Sequence, residues 1–298
     1  MNTYILSTWN ENVFEPLSRF KCYFIAGNHD LFYKQSSSVT LQSSLQLDKK
    51  YGFELINASP KTIILDGRSI DLVPWITTNN QSEITDFIFN SSSPLLIAHL
   101  ETAGAIISPG TLCQHSQLEN NLLTKYHKVI SGHFHIRSVV DNIYYIGNPY
   151  QIVWSDYGYD KGFVILDTED LSIEYINNPY NLFEKIDFNK VTKNSDLSIY
   201  ANKHIKLYID IKSKKAKVEA FISVLEKLNP LSLIIQEQEL DTSETNKLNT
   251  EGMQLVDTSH YIELYVEELF KNQSLKLDKD KLLSIINSIY QDALKQEL

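Results

Sequence analysis

The chain is poor in several things that would point to particular classes of protein. Two cysteines in 298 residues, Cys22 and Cys113, cannot build a disulfide framework, and neither belongs to a CxxC pair. Both read as ordinary thiols of a reducing cytoplasm. No apolar run approaches the ~18 residues that a membrane span requires, and the first six residues lack the basic region and long apolar core of a secretory leader. The chain is thus expected to be cytoplasmic with no membrane partner. Arginine is confined to Arg19, Arg68 and Arg137, and the formal net charge is −10. That balance argues against a non-specific nucleic-acid coat, whose affinity comes from basic side chains releasing counterions. It does not argue against a nuclease, because metal ions supply positive charge locally. Aspartate is missing from the front: Asp30 is the first in the chain.

What is present is ordinary for a folded protein. Hydrophobic residues make up 43% and charged residues 21%, which excludes a mostly disordered chain. The length suits one large domain with a smaller one.

Three motifs stand out. Gly27-Asn28-His29-Asp30 follows the apolar run Tyr23-Phe24-Ile25-Ala26. His99 follows Leu95-Leu96-Ile97-Ala98, and Gly132-His133-Phe134-His135 follows Val129-Ile130-Ser131. An Asn and several His at the ends of successive strands suit a metal site on the carboxyl edge of an open α/β sheet. Taken singly each is weak, since Gly, Asn and Asp also make plain turns and a lone His is more often a core residue than a ligand. All three together, in this order, are hard to produce by chance. The chemistry fits a phosphoesterase with Asn28, His99, His133 and His135 as candidate ligands, which suit Mn, Fe or Zn better than Ca. His29 is the candidate proton donor, with Asp30 expected to hold its tautomer. His115, His127, His204 and His260 repeat no ligand spacing and read as structural or solvated.

Periodicity predicts a helix over 11–19, strands over 21–26, 94–98 and 128–131, and hairpins over 61–74, 136–146 and 162–176. The expected fold class is an α/β sandwich with mixed sheets over 1–184. A small α/β capping unit follows over 185–236, with a strand at 204–211, a helix at 214–228 stopped by Asn229-Pro230, and a strand at 231–235. The acidic stretch 237–257 reads as a linker. Helices over 258–271 and 279–296 carry apolar stripes. They read either as packing on the body or as docking on a partner helix, with Ile262, Leu269, Ile286 and Tyr290 as candidate contacts.

The motifs GNHDLFY (27–33), IDLVPW (70–75), SGHFH (131–135) and YIGNPY (145–150) resemble the calcineurin-like metallophosphoesterase superfamily. Within it they resemble the SbcD-type nuclease subunits, above all those of T-even phages. The resemblance covers nearly the whole chain, the paired C-terminal helices included. It implies a Mn²⁺-dependent exonuclease and endonuclease acting in DNA recombination and double-strand-break repair. Such subunits work with an SbcC-type coiled-coil ATPase and usually as homodimers. Asn28, His99 and His133 would bind one ion and His135 the other, with His29 as the acid and Asp30 behind it.

The chain departs from that pattern at its front. Residues 1–26 hold neither the Asp-x-His nor the Gly-Asp-x-x-Asp motif. A βαβ unit of roughly 30 residues is therefore expected to be missing there, as in a fragment or one half of a split gene, with at most one well-held ion. Two other functions compete: a catalytically silent scaffold for the ATPase, and a phosphoesterase acting on a nucleotide or phosphoprotein.

Overall fold

The computed structural model describes residues 3–33, 36–192 and 194–238, and beyond them only 266, 278–279 and 281–286. It divides into two compact units, Met1–Leu240 and Asp241–Leu298.

The first unit opens with a helical stretch, α1 (3–17), in which a wide π turn at Asn10–Phe14 separates two α-helical pieces. The helix begins eight residues earlier than its apolar spacing predicts. Residues 3–9 bury nothing, and side chain-to-backbone bonds such as Thr8 Oγ1 to the Tyr4 carbonyl hold them instead. Phe14, 5% exposed, is the anchor. It packs against Phe24, Tyr51 and Phe53 with ring centroids 5.7–6.4 Å apart. Beyond it, β1 (Tyr23–Ile25) runs parallel to β2 (Glu54–Ile56).

The main sheet is built from β3 (Lys61–Leu65), β4 (Arg68–Val73), β5 (Leu95–Ala98), β6 (Lys128–Ser131), β7 (Ser138–Val140) and β8 (Ile143–Tyr145). Their spatial order is β7-β8-β6-β5-β4-β3. The four inner strands are parallel, and each edge strand is antiparallel to its neighbour. The edges form through tight turns. Asp66 and Gly67 adopt φ of 50° and 76° between β3 and β4, and Asp141 adopts 52° between β7 and β8, the positive values that hairpin turns of right-handed twist require.

Both faces of this sheet are covered, as a largely parallel sheet demands. On one face, α2 (Gln81–Asn90) buries Ile84 and Ile88 against Val73, Leu96, Val129 and Tyr145. On the other, Ile70, Leu72, Leu95 and Ile130 meet Ile56 and Leu171. The hairpin of β9 (Gly162–Leu166) and β10 (Ile173–Asn177) contributes Leu166 and Ile173 to that second face. Asp71 is fully buried within β4. Hydroxyls of Thr62, Ser93 and Tyr126 donate to its carboxylate at 2.7, 2.8 and 2.8 Å, which makes its burial tolerable.

A separate parallel sheet, β11 (Phe183–Asp187), β12 (His204–Asp210) and β13 (Ser232–Gln238), carries α3 (Lys215–Glu226) on one side. Ile186, Ile205, Leu207, Ile209 and Leu225 form its own core. Asn229, with φ of 59°, ends the helical run ahead of Pro230.

Of the second unit, Val266 is helical and buried and 281–286 are helical. The Lys281 N–H donates to Asp278 Oδ1 at 3.2 Å, as at a helix start. Ile286 is half-buried. Ile262, Leu269, Tyr290 and the 239–257 stretch lie outside the described residues. No helix among the described residues is long and apolar enough to cross a membrane.

Candidate functional site

The parallel register decides where the histidines emerge. Val73 pairs with Ala98, Ala98 with Ser131, and Ser131 with Tyr145, so the inner strands end level with one another. Trp75, His99 and His133 therefore leave the same edge side by side. The pair β1–β2 joins this edge because the Ala26 carbonyl accepts the Trp75 N–H at 2.8 Å. That bond brings the 3₁₀ turn Asn28–Asp30 to the histidines.

The closest contact is between Asn28 Oδ1 and His99 Nε2, 3.1 Å apart. His99 also meets His133 and Trp75, with ring centroids at 5.4 and 5.8 Å, and His133 lies 5.0 Å from Trp75. Two glycines make room for the His99 ring. A Cβ on Gly27 would sit 2.7 Å from its Cε1, and one on Gly132 would sit 2.9 Å from its Nδ1. His133 itself adopts a φ of 86°, a region costly for a side chain with a Cβ and most often found at functional sites.

The surroundings disfavour protonation of both rings. Burial, reinforced by the charges of His133 and His29, holds His99 down at about 3. Burial also lowers His133, with His29 and His135 adding to the effect and Glu101 opposing it. His29 is exposed at the rim and near enough for its charge to act on both rings. Asp30 behaves differently from its expected part. Its Oδ2 accepts the Gly27 backbone N–H at 2.8 Å, so it clamps the turn and is not bonded to the His29 ring.

His135 stands apart, bonded through Nδ1 to Oδ1 of Asp156 at 3.2 Å. Asp156 is fully buried and receives Lys161 Nζ on the same oxygen at 2.8 Å. Burial pushes its carboxyl up, but Lys161 and the N–H groups of Ile152 and Val153 outweigh that and hold it at about 2. The same loop carries Gln151, whose Oε1 accepts the N–H groups of Leu182 and Phe183 at 2.8 and 2.9 Å, and Trp154, edge-on to Phe183. The loop therefore ties His135 to the start of β11.

The structure thus gathers Asn28, His99 and His133, with His29 beside them, and leaves His135 on its own support. Among the described residues, no group of three or more His, Cys, Asp and Glu side chains is placed to hold a metal ion. Asn28 and His99 bring two donor atoms of the kind a divalent ion takes close together, with the His133 ring beside them. Two neighbouring ligand atoms on such an ion lie about 3 Å apart, comparable to the Asn28–His99 separation, and the low pKa of His99 favours the neutral ring that a ligand must be. Asp156, Lys161 and Trp75 are the residues that motif reading does not assign. Trp75 lies within a quoted motif without a role, and nothing in the spacing around Asp156 or Lys161 marks them.

Fold and site together define an α/β protein with an Asn–His cluster on the carboxyl edge of its main sheet. No family model matches the chain. It is similar to exonuclease subunit 1 of Enterobacteria phage T4, with 29% identity over 271 residues, which is 90% of this chain and 76% of that protein.

Proposed function

We propose that the chain is a nuclease subunit of the SbcD type, in the calcineurin-like metallophosphoesterase superfamily, acting on DNA in recombination and double-strand-break repair. The observation that carries this reading is the Asn28–His99 contact beside His133 on the sheet edge. The similarity to a phage exonuclease subunit supports it. Asn28, His99 and His133 would hold a divalent ion, Mn²⁺ by analogy with the family, and His135 would present a ligand to a second. When bound, such ions withdraw charge from a phosphate and lower the pKa of water. Hydrolysis adds water across a P–O bond, and the leaving oxygen needs a proton. Exposed His29 would supply it. Trp75 packs beside the two inner rings.

A second reading, a silent scaffold, is favoured by one feature: the three gathered donors include no carboxylate to bridge two ions. In either reading the C-terminal helices are proposed to grip the coiled coil of an SbcC-type ATPase, with homodimerisation within that complex.

Calorimetry and a linear-DNA assay test the proposal together. One Mn²⁺ per chain should bind tightly, His133→Ala should abolish that binding, and His115→Ala should leave it unchanged. Cleavage of linear DNA should appear with the ATPase present and vanish in His133→Ala. Absence of Mn²⁺ binding would refute the metal site. ATPase capture without cleavage would establish the scaffold, and loss of capture in the Ile286→Asp, Tyr290→Asp double variant would locate the contact.

A further inference from the structure

His135 is pinned at two points. Its ring Nδ1 meets Asp156 Oδ1 at 3.2 Å, and its backbone carbonyl accepts Lys161 Nζ at 2.7 Å. Lys161 is 3% exposed and Asp156 fully buried, and they bond to each other at 2.8 Å. The second carboxylate oxygen is occupied as well. Oδ2 accepts the N–H groups of Ile152 and Val153 at 2.7 and 3.0 Å and the side-chain amide of Asn148 at 3.3 Å. A carboxylate meeting this many donors is an acceptor only. The imidazole facing it must therefore carry its proton on Nδ1. In the neutral ring Nε2 then keeps its lone pair, on a side chain that is 35% exposed.

We propose that Asp156 is a positioning residue, fixing the tautomer and ring direction of His135 so that Nε2 is offered outward to a divalent cation. The metal part of this inference rests on the reading of His135 as a ligand, whereas the orientation does not. Lys161 serves a different purpose. It compensates the buried carboxylate and holds the His135 backbone, so it acts on where the residue sits and not on which nitrogen bears the proton. A carboxylate behind a ligating imidazole raises its basicity and restricts its rotation, and losing such a partner typically weakens metal affinity by about 10–100-fold.

Nitrogen-15 NMR of histidine-labelled full chain tests this, with the His135 signals assigned by their loss in His135→Gln. In the metal-free protein His135 should be the Nδ1–H tautomer. An Nε2–H tautomer would overturn the proposal, and this reading of the unmodified chain does not depend on any variant folding. Asp156→Asn should move His135 to the Nε2–H form, while Lys161→Gln should lower thermal stability and keep the Nδ1–H form. Retention of Nδ1–H in Asp156→Asn, or its loss in Lys161→Gln, would also overturn it. Titrated Mn²⁺ should broaden the His135 signals, with about 10–100-fold more needed in Asp156→Asn. If Mn²⁺ broadens His99 but never His135, the outward ligand role is overturned while the metal reading of the His99 cluster stands.

Discussion

The Gly27→Ala substitution isolates the packing on which the Asn–His cluster depends. Gly27 has φ of −94° and ψ of 177°, a conformation that alanine adopts freely, so the backbone resists nothing. The obstacle is the His99 ring. A Cβ would lie 2.7, 2.9 and 3.0 Å from its Cε1, Nε2 and Nδ1, all well inside van der Waals contact. The ring has little room to swing clear, because Trp75 and His133 stand beside it with ring centroids 5.8 and 5.4 Å away, and it already lies where a Cβ on Gly132 would meet Nδ1 at 2.9 Å. Overpacking of this kind costs about 1–3 kcal/mol. For a unit of 240 residues that corresponds to a fall in Tm of roughly 2–12 °C. Gly67→Ala is the contrast. No atom lies within 4 Å of its Cβ, and only its φ of 76° opposes the change. Both variants should melt earlier in a calorimetric scan, but only Gly27→Ala should displace His99 from Asn28 and weaken Mn²⁺ binding at least tenfold. A Gly27→Ala protein that melts within 1 °C of the parent and binds the ion equally well would refute the steric argument.

Two further outcomes follow from buried groups. His99 sits at about 3 when folded against an ordinary 6.5. Between those values the unfolded chain binds a proton that the native one refuses, so stability is complete above pH 6.5 and falls as pH drops toward 3. Urea unfolding at pH 5 should show a loss of about 2 kcal/mol relative to pH 7, and His99→Gln should flatten that slope. Asp156 adds nothing in this window, because its transition lies below 3.8. An unchanged slope in His99→Gln would remove His99 as the cause. Tyr126→Phe deletes the 2.8 Å bond to the buried Asp71 carboxylate and should cost about 1.5–3 kcal/mol. Denaturant curves that differ by less than about 0.5 kcal/mol would mean that Thr62 and Ser93 suffice.

The strands that build the site were legible because their signals are local. Runs such as Leu95–Ala98 and Lys128–Ser131 are continuous and apolar, as buried parallel strands are, and the Asp66-Gly67 turn announces its hairpin. Register did the rest: once these strands lie level, His99 and His133 must emerge together. The first part of the helical stretch, residues 3–9, was not legible, since Tyr4, Ile5 and Trp9 remain exposed and nothing in it is buried. The part assigned to Asp30 differed for a similar reason. A motif names which residues are adjacent in sequence, yet a carboxylate three residues past a free N–H closes its own turn before it reaches a neighbouring ring. Asp156 and Lys161 lie 21 and 26 residues beyond His135 and reach it only after β7 and β8 fold back. Support of this sort is created by tertiary structure and leaves no spacing to read. The ligand candidates could therefore be named from strand ends alone, whereas what fixes each ring had to be read from the packing: two glycines and a tryptophan around His99, and a buried ion pair behind His135.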